Sequence, residues 1–260
     1  MEERLAEVSS GPETGTQWQG LDQRQIWGKP LPGIERRFDR FLCRFFLACF
    51  HSRLLDVRGL EHIHPDNDPF IVVLNHNQRV EALLLPLLMI HQRSGRMIHF
   101  LTDWIFYIIP IVGSYYRRSQ AIIVMRKEAK VRIFNRLKPL LAQPGSAMER
   151  AMKVLADGRS VGIFPEGTIN RDPKRLLRGS PSAARLSLES GARVVPVGLR
   201  FPRHRGDGPI GDLEPLEVII GPPLTPPVID GPRARAAEVR GWHERLMGEL
   251  SRLSGKRWPE

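Results

Sequence analysis

A histidine and a carboxylate stand five positions apart in Asn75-His76-Asn77-Gln78-Arg79-Val80-Glu81. Paired as base and orienter, such groups let an imidazole deprotonate a hydroxyl. The spacing sets a condition. On one regular helix, five residues turn about 500° and leave the two side chains about 140° apart. They meet only if His76 lies in the turn before a helix and Glu81 in its first turns. The plain alternative is a surface histidine beside a capping carboxylate. A second group is Phe164-Pro165-Glu166-Gly167-Thr168. Gly167 permits close backbone approach, and N–H groups in such a turn favour an anion. An ordinary Pro-Gly turn has the same composition. Third, Arg126 and Lys127 end the apolar run 121–125, where basic groups suit a phosphate. A solvated helix start reads the same way. Fourth, Arg178-Gly179-Ser180 precedes a helix, so backbone N–H groups and Arg178 converge on one point. The alternative there is a helix cap.

To converge, each group needs an element that aims it. The segment 69–74 is a short apolar run, a buried strand by length. A helix follows over 80–93. Segments 97–101, 121–125, 160–164, 194–199 and 216–220 read as further strands. Segments 127–141, 182–190 and 236–253 read as helices, and Ser146-Ala147-Met148-Glu149 is a capping box that starts another. Strands alternating with helices predict an α/β sheet covered on both faces. Three of the four groups follow strands, where open α/β sheets bind ligands.

The chain has 260 residues, 42% of them hydrophobic and 26% charged. That is enough for a core and excludes a fully disordered chain. Two cysteines, Cys43 and Cys49, exclude a disulfide framework and a four-cysteine metal site. The net charge of +11 points to an anionic partner: nucleic acid, a phospholipid surface or a phosphorylated substrate. No nucleic-acid motif matches the chain, so that class rests on charge alone. No leader pattern is visible at the N-terminus. The longest apolar runs, 82–90 and 104–113, are about half of the ~20 residues that cross a bilayer. A chain working inside the cell is expected, with peripheral or monotopic membrane attachment open.

Residues 1–30 read as a polar tail or loose arm. Over 31–56, Phe38, Phe41, Leu42, Phe45, Phe46, Cys49 and Phe50 recur at helical spacing, with Arg36, Arg37, Arg40, Arg44 and Arg53 around them. A basic, Phe-rich helix suits the lipid interface; packing on the core gives the same pattern. Residues 57–224 read as the main domain, and 225–260 as a linker with a C-terminal helix.

In order, these blocks resemble the glycerolipid acyltransferases typified by lysophosphatidic acid acyltransferase. The resemblance covers roughly 56–224. Asn75-His76-x4-Glu81 occupies the place of Asn-His-x4-Asp. Ile122-Ile123-Val124-Met125-Arg126 matches an apolar strand ending in arginine. Phe164-Pro165-Glu166-Gly167-Thr168 is intact, with Arg171 downstream, and Val195-Pro196-Val197 matches the fourth block. Three positions depart: Glu81 replaces Asp, Gln120 stands where glycine is frequent, and Ile169 stands where arginine often follows the threonine.

The resemblance implies a mixed, largely parallel sheet flanked by helices, preceded by the amphipathic element. It implies transfer of a fatty acyl group from a coenzyme A or acyl-carrier-protein thioester to a lipid hydroxyl. His76 would be the general base and Glu81 would hold its tautomer. Arg126, Glu166, Gly167, Thr168, Arg171 and Arg178 would bind the acceptor. Glu166 would orient a basic side chain or an acceptor hydroxyl, and N–H groups near Gly167 would face the oxyanion. No metal or resident cofactor is implied, and no nucleic-acid partner. The expected partners are the thioester donor, a lysophospholipid such as lysophosphatidic acid, and the cytoplasmic face of a membrane. The same chemistry on glycerol-3-phosphate or another lysolipid, and a non-catalytic lipid-binding role, are the alternatives.

Overall fold

The computed structural model describes residues 18, 20–109, 112–125, 128 and 132–259. In chain order its elements are α1 (Gln23–Gly28), α2 (Arg37–Phe50), β1 (Leu54–Arg58), β2 (Phe70–Leu74), α3 (Glu81–Gln92), β3 (Ile98–Asp103), α4 (Ile105–Ile108), α5 (Val112–Arg118) and β4 (Ile122–Val124). A 3-10 segment, Arg132–Leu141, leads to α6 (Ala147–Ala156), β5 (Ser160–Ile163), α7 (Ser182–Ser190), β6 (Arg193–Arg200), β7 (Leu216–Ile220) and α8 (Ala236–Ser254).

Alternation along β2 sets the layers. Phe70, Val72 and Leu74 enter one apolar cluster with Leu84, Leu85 and Leu88 of α3 and Leu47 of α2. Ile71 and Val73 enter the opposite one with Ala151 of α6, Ala184 of α7 and Trp242 of α8. A strand buried on both faces needs helices on both faces. The sheet order is β1-β7-β6-β2-β5-β3-β4. Strands β6, β2, β5, β3 and β4 pair in parallel. β7 is antiparallel to β6, and β1 is parallel to β7. The sheet is therefore mixed and largely parallel, as the resemblance implies. Five carboxyl ends lie along one edge.

Helix α3 is apolar nearly all round, as a helix between two layers must be. Pro86 inside it cannot donate to the carbonyl of Ala82. The Tyr116 hydroxyl supplies that hydrogen bond instead, at 2.6 Å.

Several expectations change. The helix expected over 31–56 ends at Phe50, and Leu54–Arg58 is strand β1. Its register shifts between Leu54 and Asp56, so clean alternation never appears in the sequence. The helix expected over 127–141 winds as a 3-10 helix across Arg132–Leu141, where Pro139 has no N–H to give. Residues 1–17 lie outside the described residues, but 23–28 of the expected loose arm form α1. Asp22 and Gln25 close a capping box there, and Ile26 is fully buried. The C-terminal helix belongs to the main core rather than to a separate unit. Trp242, Met247 and Leu250 of α8 are buried, and a Cβ at Gly198 would meet the Leu253 backbone at 2.3 Å.

His91 on α3 ties α1 down through the Ile26 carbonyl, 3.2 Å from Nε2. Burial pushes its imidazole from 6.5 down to about 4. The unfolded chain therefore binds a proton first as pH falls. Stability should drop by up to about 3 kcal/mol between pH 6.5 and 4 from this group. His91→Gln should blunt that portion of an acid-unfolding series; an unchanged acid slope would show that His91 does not carry it.

Candidate active site

Two neighbouring strands, β2 and β5, end side by side and deliver the site. After β2, Asn75 continues the sheet with its side chain. Its Oδ1 accepts from the Leu199 N–H at 2.8 Å, and its Nδ2 donates to the Leu199 carbonyl at 3.2 Å. His76 follows in the turn, and Glu81 opens α3. The Glu81 carboxylate reaches back to accept from the Asn77 N–H at 2.7 Å. The same oxygen lies 3.1 Å from His76 Nδ1. This meets the geometric condition that the spacing imposes. With Nδ1–H donating to Glu81, Nε2 keeps its lone pair and can take a proton. The carboxylate is fully buried and sits at a helix N-terminus, where negative charge is favoured. The imidazole remains partly accessible and lies 4.5 Å from the Phe164 ring, centroid to centroid.

Glu166, after β5, has a different task from the one expected. One of its oxygens accepts from the His76 backbone N–H at 3.0 Å. The other accepts from Asn170 Nδ2 at 2.7 Å and the Leu177 N–H at 2.9 Å. It thus fastens three segments around His76. Burial raises its carboxyl above the ordinary range, opposed by these donors. Asn170 completes the frame, its N–H donating to the His76 carbonyl at 2.7 Å.

The other expected site residues are spread around this frame. Gly167 turns the chain with φ of +64°, and a Cβ there would meet nothing within 4 Å. Its N–H donates to the Phe164 carbonyl at 3.0 Å, so it closes the turn rather than facing an oxyanion. Thr168 is exposed beside it. The Arg171 guanidinium pairs with Asp212 at 2.7 Å and with the Ile210 carbonyl at 2.6 Å. That pairing braces the loop after β6, and the side chain stays partly exposed. Arg178 is exposed; its carbonyl accepts from His243 and Trp258. Arg126 lies outside the described residues. Among those described, no group of acidic, histidine and cysteine side chains is arranged to hold a metal ion.

The sequence reading quoted Asn75 and Asn77 in the first group without giving them a task, and named neither Asn170 nor Lys256. Asn75 and Asn77 flank the histidine, and a polar pair directly after a buried strand is the signal that points to them. Lys256 comes from the turn after α8 and carries no signal. Its ammonium donates to Asn77 Oδ1 and, at 2.6 Å, to the Asp172 carbonyl.

A sequence profile described as Acyltransferase matches residues 54–200. The chain is 24% identical over 166 residues to a chloroplastic 1-acyl-sn-glycerol-3-phosphate acyltransferase, LPAT1, of Arabidopsis thaliana; the alignment covers 63% of this chain and 41% of that protein. A chloroplastic enzyme of the same name, BAT2, from Brassica napus is 23% identical over 166 residues, 63% of this chain and 43% of its own. A 1-acyl-sn-glycerol-3-phosphate acyltransferase of Borreliella burgdorferi shares 43% over 56 residues, 21% of each chain. The chain spans about two-fifths of the length of the two plant relatives. In fold it is similar to the crystal structure of PlsC, the 1-acyl-sn-glycerophosphate (LPA) acyltransferase of Thermotoga maritima. That match has a TM-score of 0.54 at 21% identity and covers 85% of this chain and 81% of the other. The profile runs from β1 to the end of β6 and takes in His76, Glu81 and Glu166 over more than half of the chain, which therefore belongs to the Acyltransferase family.

Proposed function

We propose that the chain transfers a fatty acyl group from a coenzyme A or acyl-carrier-protein thioester to the free hydroxyl of a lysophospholipid, lysophosphatidic acid first. The observation that carries the reading is the 3.1 Å contact between His76 Nδ1 and a fully buried Glu81 carboxylate. Nε2 takes the acceptor's proton as its oxygen attacks the thioester carbonyl. The thiolate leaves, and the imidazolium gives it the proton. Glu81 fixes the tautomer and stabilises the imidazolium. The names of the two plant relatives and the +11 charge support a phosphorylated acceptor.

The same reading places the protein on a membrane surface at its cytoplasmic face, peripherally or monotopically. Among the described residues, no helix is long and apolar enough to cross a membrane. Helix α2 divides its apolar surface between two faces. Leu42, Cys43 and Leu47 pack inward, while Phe38, Phe41 and Phe45 are 44–54% exposed. Their rings stack along the helix at 5.8–6.5 Å beside exposed Arg36 and Arg37. Such a stripe suits the boundary between headgroups and acyl chains.

The test pairs acyl-coenzyme A and acyl-carrier donors with lysophosphatidic acid, glycerol-3-phosphate and other lysolipids. Purified protein is assayed on anionic phosphatidylglycerol vesicles. Turnover on lysophosphatidic acid that vanishes in His76→Ala is the expected result. Turnover only on another acceptor would replace the substrate, and none on any pair would overturn the activity. The double variant Phe41→Ser, Phe45→Ser is expected to lower vesicle binding about tenfold; unchanged binding would remove α2 from the membrane contact.

A further inference from the structure

Two carboxylates flank one imidazole in this site. Glu81 touches the His76 ring and Glu166 holds its backbone N–H. Both are buried. Glu81 Oε1 and Asn77 Nδ2 have no hydrogen-bond partner, so hydrogen bonds alone do not compensate this charge. Nearby anions favour the protonated form of an imidazole, and a protonated imidazole is no base.

One buried cation answers this arrangement. Lys256 is 3% exposed. The chain turns at Gly255, at the end of α8, and sends the lysine inward. The next residue pins the backbone. Arg257 donates to the Lys174 carbonyl at 2.8 Å, and its own carbonyl accepts from Leu176 at 2.8 Å. Trp258 Nε1 reaches the Arg178 carbonyl at 3.1 Å. The loop gripped in this way is the one whose Leu177 N–H holds Glu166. The strap lies beyond the segment that the family profile matches.

We propose that Lys256 is a positioning residue of the acyl-transfer site: its ammonium balances the Glu81 and Glu166 carboxylates and ties the Asn77 turn to the 172 loop, so that His76 rests as a neutral base. This deepens the acyltransferase reading and rests on it. With both carboxylates ionised and the lysine charged, the neutral-imidazole site carries one net negative charge. Uptake of the acceptor's proton brings it to zero, so the charge balance favours the state that forms during transfer. Burial lowers the Lys256 ammonium below its ordinary value, opposed by Glu166, Glu81 and Asp172. Every packed element contributes to this balance: His76 after β2, Glu81 from α3, Glu166 after β5, and Asp172 with Arg175 from the loop.

The experiment compares wild type, Lys256→Met and Lys256→Gln. Methionine keeps the volume without charge or hydrogen bonds; glutamine keeps a donor without charge. The readouts are the NMR titration midpoint of the His76 ring, assigned with His76→Ala, and the pH profile of kcat/KM. Both variants are expected to raise the midpoint by about one unit and to move the acidic limb of the profile up with it. At pH 7, kcat/KM should fall about three- to fivefold and recover at higher pH. The variant Lys256→Met with Glu166→Gln should bring the midpoint back toward wild type. A folded Lys256→Gln with unmoved midpoint and limb overturns the proposal, as does a loss of activity at every pH with no shift. The ring titration needs no turnover, so a failure of the acyltransferase reading would appear in the assay while the charge balance is still decided.

Discussion

Replacing His76 with alanine should lower kcat/KM by about 10²–10⁴-fold with the fold retained, the range for loss of a positioned general base. The ring is partly exposed, and its backbone bonds to Glu166 and Asn170 do not need the imidazole. A variant with wild-type thermal unfolding and lost turnover is therefore the expected pair of results. The Glu81 series refines it. Glu81→Ala should lose about 10²-fold or more by freeing the tautomer. Glu81→Asp should keep substantial activity, because a shorter carboxylate still sits in the first turn of α3. Wild-type rates in both variants would show that Glu81 does not orient His76.

The largest loss of stability should come from the opposite, amino edge of the sheet. Asp68 lies between Arg93 and Arg96 just before β2. Arg93 meets both of its oxygens, at 2.7 and 2.8 Å, and donates to the Ile63 carbonyl at 3.0 Å. Arg96 and the Ser160 hydroxyl also bond to Asp68. The Arg93 and Asp68 side chains are 1% and 4% exposed. Asp68→Ala strands the Arg93 charge in the interior and should cost about 3–5 kcal/mol in denaturant unfolding. The double variant Asp68→Ala, Arg93→Met should recover a large part of that loss. Additive losses would mean that the two groups are not coupled.

What the sequence reveals of the site follows how locally each part is built. The His76–Glu81 pair is legible because strand, turn and helix start are contiguous, and only one arrangement lets the side chains meet. The task of Glu166 is not legible. Two of its donors are backbone N–H groups, and any residue supplies those. Arg171 matched a pattern, yet Asp212, a partner set by the loop after β6, decides what its guanidinium does. The parallel strands could be read from their apolar runs. β1 could not, because a register shift breaks its alternation. The two apolar faces of α2 lay within its periodicity, since a helix rich in phenylalanine has enough apolar surface for two stripes.

The strap also has a consequence in time. Asn77 and Lys256 are 179 positions apart. Synthesis proceeds at about 5–20 residues per second. The ribosome therefore makes the lysine about 10–35 s after the turn it secures. Until then the Asn77 turn lacks its hydrogen bond from Lys256, and the loop of Asp172 is not tied to it.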